Sequence, residues 1–387
     1  MLRLAAALAF VTSCTTTPSP GPTTIGLADV SVLLPLPASD ADPSTLRLDT
    51  PGNGGALLPK AMFDAIPVFA DNPLPERAYA NWRIVSARID PCFPDLALLV
   101  TNPAACRRQL RLVAQPIVPI EGDGPVGFSD NAIHLLYDLS EPEFTAMATR
   151  WLAVRSTDPT APLGVHPTIR TQGLAGAVAT ELRATIAAYA GAATLSQFTF
   201  LEGRGVAWEF GGFKLAGGAL QPIAIHGADA TSQVTTSDET GQFGITPPSP
   251  EASGLEPLRG ERVPDGSIGG GTVVLTADPA AIHTAMQLTL DVDNPAKQFN
   301  PDTLDCASCH VASRARSRAT GLGATTDGLA AFTADGFDLE LVLSTGLQSS
   351  PQQQRAFGYN GDQAVWNQRT VNESAAVAAY FQSTGAY

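Results

Sequence analysis

The feature that most constrains this chain is a pentapeptide near its C-terminal end, Cys306-Ala307-Ser308-Cys309-His310, within the stretch NPDTLDCASCHVASRAR. Two thiols three positions apart, followed at once by a histidine, form the attachment pattern of c-type haem. The spacing has a chemical basis: both thiols reach the vinyl groups on one edge of a porphyrin while His310 turns beneath the ring and offers iron its proximal nitrogen. A Cys-x-x-Cys pair also occurs in thioredoxin-like couples and in zinc sites. Zinc needs four ligands, however, and the other histidines (His134, His166, His226, His283) are scattered singly, with no second cysteine pair at ligand spacing. A thioredoxin-like couple would follow a buried strand, and Thr303-Leu304-Asp305 is no such strand. One covalent haem c is the expected cofactor, held by Cys306, Cys309 and His310.

The N-terminus points to export. Arg3 supplies positive charge, Leu4 to Val11 an apolar run, and Val11-Thr12-Ser13-Cys14 a lipobox-like cleavage site. Residues 1–14 resemble a bacterial lipoprotein signal, which implies a lipid on Cys14 and a place on the periplasmic side of the outer membrane or at the cell surface. Residues 15–28, rich in Pro and Thr, read as a flexible tether. Five cysteines then divide without remainder: Cys14 for lipid, Cys306 and Cys309 for haem, and Cys92 with Cys106 as a disulfide in an oxidising compartment. With 37 acidic against 23 basic residues the net charge is −14, which argues against nucleic acid or anionic lipid as a partner.

The 35 glycines and 31 prolines predict short elements joined by many turns. Strands are expected at Val30–Leu34, Trp82–Ile89, Gln109–Pro119 and Ala132–Leu139, the last placing His134 in the core or on an edge. Ser140-Glu141-Pro142-Glu143 starts a helix running to about Arg155, and an alanine-rich helix follows over 174–190. Leu195–Leu201, Gly205–Leu215 and Leu220–Ile225 read as consecutive antiparallel strands, with Phe198, Phe200, Trp208 and Phe210 packed as one face on that helix. Residues 227–270 read as a long surface excursion. The expected organisation is a larger α+β domain over 29–277 followed by a small, mainly helical haem domain over 278–387.

Those last hundred residues resemble a monohaem c-type cytochrome domain, with the attachment motif first and a closing helix, Asn372–Phe381, last. The resemblance implies that Val377, Tyr380 and Phe381 pack on the attachment helix. It does not extend to the usual distal methionine, because neither Met nor His follows His310. Candidates for the sixth ligand are His283 or Met286 on a helix upstream of the motif, then Tyr359 or Lys297, or no protein ligand at all. His283 would give a low-potential iron and Met286 a higher one. Arg314 and Arg316 are candidates to pair with the haem propionates.

No Gly-x-Ser-x-Gly, HExxH, P-loop or dinucleotide fingerprint is present. The leading expectation is one-electron transfer with a redox partner protein. The alternatives are small-ligand chemistry or sensing at an open iron, and a surface lipoprotein in which haem only stabilises the fold.

Overall fold

The computed structural model describes residues 24–70, 74, 77–119, 126–237, 242–264, 271–343, 354 and 356–385. Cys14, the expected lipidation site, lies outside them. Among the described residues no helix is long and apolar enough to cross a membrane.

The chain is built on one ten-stranded antiparallel sheet. Its strands are β1 (Ser31–Leu33), β2 (Trp82–Phe93), β3 (Arg107–Pro119), β4 (Val126–Phe128), β5 (Asn131–Leu139), β6 (Leu195–Arg204), β7 (Ala207–Ala216), β8 (Ala219–Pro222), β9 (Ser232–Ser237) and β10 (Phe243–Thr246). The spatial order is β1-β2-β3-β5-β6-β7-β9-β10, with β4 beside the end of β3 and β8 beside β7. Long alternating runs make the central strands. In β5, Ile133, Leu135 and Tyr137 point one way and His134, Leu136 and Asp138 the other.

One face of the sheet is sealed by two helices, α1 (Glu141–Leu152) and α2 (Ala177–Tyr189). Helix α1 begins at a capping box, in which the Ser140 amide donates to Glu143 Oε2 at 2.9 Å. Its Phe144, Met147 and Trp151 join Leu182 and Ile186 of α2 against Leu110, Leu112, Ile133, Leu135, Tyr137 and Phe198. Cys92, in β2, and Cys106, just before β3, are bridged, with Cα atoms 4.8 Å apart.

Against the opposite face lie α4 (Cys306–Gly321), the hairpin β11 (Phe357–Asn360) and β12 (Gln363–Trp366), and the first turns of α5 (Gln368–Thr384), with α3 (Pro279–Val292) packed on α4. The overall class is α+β, but the expected small, mainly helical cytochrome domain does not form. Its reason lies in the side chains. The small apolar residues of α4 are divided among three clusters, with Val311, Ala315 and Ala319 on α3, Ala307 on β7, and Ala312 beside Val292, so the helix builds no core of its own. The described residues 324–343 contain neither helix nor strand. Helix α5 likewise turns Val377 and Phe381 into the main core, where Phe381 stacks on Phe144 at 6.4 Å, instead of onto the attachment helix.

Two further expectations are corrected. The excursion at 227–270 contains β9 and β10, which widen the sheet; β9 buries Gln233, Thr235 and Ser237, so its inward face is polar and reads as loop. The hairpin aromatics do not share a face. Phe198 and Phe200 enter the main core, whereas Trp208 and Phe210 pack with Ala307 on the other side. The register decides this, since Phe210 pairs with Leu201 while Phe198 pairs with Phe213.

Candidate haem site

The attachment pentapeptide opens α4. Asp305 caps the helix, its carboxylate accepting from the Ser308 amide at 2.9 Å and from the Ser249 hydroxyl. The Ala307 amide donates to Gln233 Oε1 at 2.9 Å, which ties this first turn to β9. Cys306, Cys309 and His310 occupy positions i, i+3 and i+4 of the helix and therefore share one side of it. All three line the same half-open cavity, about 220 Å³ in volume, between α4 and the sheet.

Both cysteines are free and partly exposed to the cavity. Burial, reinforced by the Asp305 carboxylate and the neighbouring Cys309, pushes the Cys306 thiol up to about 12. Burial also raises Cys309, to about 11, against the lowering influence of Arg369. Thiols held protonated in this way are poor nucleophiles and poor redox centres at neutral pH.

His310 Nδ1 is hydrogen-bonded to the backbone carbonyl of Gln354 at 2.5 Å. A carbonyl can only accept, so Nδ1 carries the proton and Nε2 is the nitrogen with a free lone pair. A metal-bound imidazole is oriented by its second nitrogen in just this manner. Burial lowers the affinity of His310 for a second proton, opposed by the Gln354 carbonyl. Phe210 packs with its ring centroid 4.8 Å from that of His310.

The sheet side of the cavity is unlike the sealed face. Four adjacent strands contribute Ser86 and Arg88, Arg111, His134, and Gln197 with Thr199. Burial, with His310, Arg111 and Arg88 close by, pushes the His134 imidazole down to about 3, so it is neutral at physiological pH. His134 and His310 both line the cavity, with ring centroids 6.1 Å apart and planes inclined at 34°.

At one end of the cavity lies a buried charge cluster. Glu373 accepts from Arg88 and, at 2.7 Å, from Arg369 Nε. Asp90 accepts from Arg111 Nη2 at 2.6 Å. Three guanidinium groups meet two carboxylates, which leaves one positive charge in excess. Burial alone would raise Glu373, but Arg88, Arg369 and Arg111 hold it down at about 2. The buried Arg88 Nε has no hydrogen-bond partner among the described residues.

The other expected site residues fall elsewhere. Met286 is buried among Leu255, Leu258 and Val311, His283 is exposed on α3, and neither lines the cavity. Tyr359 is buried and donates to the Leu34 carbonyl at 2.5 Å, and Lys297 lies 3.9 Å from Asp291. Arg314 and Arg316 border a second cavity, about 380 Å³, that shares His310 as a wall. Arg316 is paired with Asp293 at 2.5 Å, and burial lowers Arg314 to about 10.

Sequence reasoning missed His134, Arg88, Arg111, Arg369 and Glu373. For His134, Arg88 and Arg111 the signal was a polar residue at alternate positions of strands, legible as a site only once the strands are in register; Arg369 and Glu373 are an i, i+4 pair on α5 that the sequence shows only as a helical ion pair. Among the described residues no three His, Cys, Asp or Glu side chains are arranged to hold a metal ion by themselves. No family model matches the chain, and neither a curated protein nor a solved structure does.

Proposed function

We propose that this chain is an exported, lipid-anchored c-type haem protein that transfers single electrons to and from a periplasmic or cell-surface partner protein. The observation that carries the reading is the convergence of both thiols and the Nδ1-tethered imidazole of one pentapeptide on one cavity. The donor set fits the group: Cys306 and Cys309 supply the two sulfurs that add across the vinyl groups, and His310 Nε2 is left for iron. The excess positive charge of the Arg88, Arg111 and Arg369 cluster suits the two haem carboxylates. When bound, the haem supplies reversible Fe(III)/Fe(II) exchange.

The chain's own residues do the rest. The Gln354 carbonyl fixes the tautomer and direction of His310, which raises the basicity of the ligating nitrogen and favours the ferric state. Phe210, Leu136 and Phe357 line the cavity with apolar surface and limit water at the centre. The open side leaves a route for electrons to a docked partner. Export accounts for covalent attachment, because a haem held only by ligation could be lost outside the cell.

The test is expression of the full chain in a bacterium carrying c-type maturation machinery. Haem is expected to stay with the polypeptide after denaturation, and the reduced alkaline pyridine spectrum should be that of a ring with two saturated vinyl positions. Cys306→Ser or Cys309→Ser should shift that spectrum to a single-thioether form. Wild-type protein matured without covalent haem would overturn the proposal.

A further inference from the structure

We infer that His134, from the middle of the sheet, is the second axial ligand of the iron, so that the centre is a bis-histidine haem closed on both faces. The inference rests on the haem reading above and specifies its distal side. The register of β5 determines where His134 points. Its backbone is paired with Val113 of β3 on one side and Thr199 of β6 on the other, and the apolar members of the same strand are locked into the main core. A slip of one residue would turn Ile133 or Leu135 into the polar cavity, so the imidazole is held toward α4 by the packing of its neighbours.

Distance supports the pairing. Metal–imidazole bonds are about 2 Å long, so two imidazoles facing each other across one metal have ring centroids roughly 6 Å apart. The observed separation is 6.1 Å, with 34° between the ring planes. The His134 ring makes no hydrogen bond among the described residues that would otherwise explain it. Every competitor named from the sequence is engaged or remote. Among the described residues His134 and His310 are the only imidazoles lining the cavity, and no thioether lines it.

Two consequences follow. Ligation from both faces leaves no open position for oxygen, peroxide or carbon monoxide, and a second imidazole in place of a thioether lowers the reduction potential. The centre also staples a strand of the sheet to the attachment helix, so haem loading and tertiary structure are coupled.

The experiment compares mature wild-type holoprotein with His134→Ala, His134→Met, His283→Ala and Met286→Leu. The readouts are the ferric optical and electron paramagnetic resonance spectra, carbon monoxide binding to the ferrous form, and the midpoint potential. Wild type, His283→Ala and Met286→Leu should be low-spin and inert to carbon monoxide. His134→Ala should become high-spin and bind it, with added imidazole restoring the low-spin spectrum, and His134→Met should raise the potential. A His134→Ala holoprotein that stays low-spin and inert would overturn the assignment while leaving the haem reading intact; absence of covalent haem from the wild type would overturn both. Should His134→Ala fail to fold, near-infrared magnetic circular dichroism of the wild type decides. A bis-imidazole charge-transfer band supports the assignment, and an imidazole–thioether or high-spin band overturns it.

Discussion

The two faces of the central sheet are made by the same strands, yet they obey different rules. On the sealed face Leu110, Leu112, Ile133, Leu135, Tyr137 and Phe198 meet the apolar stripes of α1 and α2, and the polar tips of its aromatics are paired, the Tyr137 hydroxyl donating to the Leu57 carbonyl at 2.9 Å and Trp151 Nε1 to the Asp29 carbonyl at 2.7 Å. On the cavity face Ser86, Arg88, Arg111, His134, Gln197 and Thr199 are interspersed with Val113, Leu136 and Phe210. Burying a large apolar side chain stabilises a fold by about 1.5–3 kcal/mol, whereas burying charge is costly unless it is fully paired. A sheet that needed only to fold would carry the first kind of residue on both sides. The second face departs from the stability optimum where a cofactor would lie, and local departures of this kind mark functional sites.

The contrast is open to measurement, and the largest effect should come from the sealed face. Phe198→Ala removes a fully buried ring packed against Phe213 at 5.2 Å, and should lower the unfolding free energy by about 3–5 kcal/mol in denaturant titration of the protein. A cost below about 1 kcal/mol would mean that this face is not the close-packed core described.

Next in size is Glu373→Gln, which strips two arginines of their shared carboxylate and should cost about 3 kcal/mol. The pH dependence has a definite sign. Glu373 is held at about 2, below its ordinary 4.5, so the folded state binds fewer protons than the unfolded state in between. Its contribution to stability is complete above about pH 4.5 and is lost as the pH falls toward 2. The Gln variant should show a shallower acid limb over that window; an unchanged limb would mean that the cluster does not act on Glu373 as described.

The smallest effect should come from Gln197→Leu on the cavity face. The side-chain Nε2 of Gln197 is buried without a hydrogen-bond partner among the described residues, so replacing the amide by an apolar group of similar shape should change stability by less than about 1 kcal/mol, in either direction. A loss above about 2 kcal/mol would show that the amide is satisfied in solution and would weaken the distinction between the faces.

Much of the fold was legible because its signals are local. The capping box at Ser140 and the alternation in β5 depend on residues a few positions apart, and these elements stand within a few residues of where the sequence places them. The strands β9 and β10 were hidden because their buried residues are largely polar, and because β9 pairs with β7 as well as with β10, a contact that no local pattern announces. The small haem domain was expected because a helical motif and a closing helix suggest a unit. Neither helix builds a separate core: α4 divides its small apolar residues between α3 and the sheet, and α5 turns Val377 and Phe381 into the main core.

The sequence by itself determined the local arrangement on which the haem proposal rests: thiols at i and i+3 and an imidazole at i+4 share one side of any helix, whatever surrounds it. It also determined which residues of each strand alternate. Tertiary structure alone decided what faces that helix. His134 lies 176 positions before His310, and Arg88 and Glu373 are 285 apart, so only the register of the sheet brings them to one cavity. Side chains so distant in the chain meet through the long-range packing of strands and helices, which no local spacing encodes.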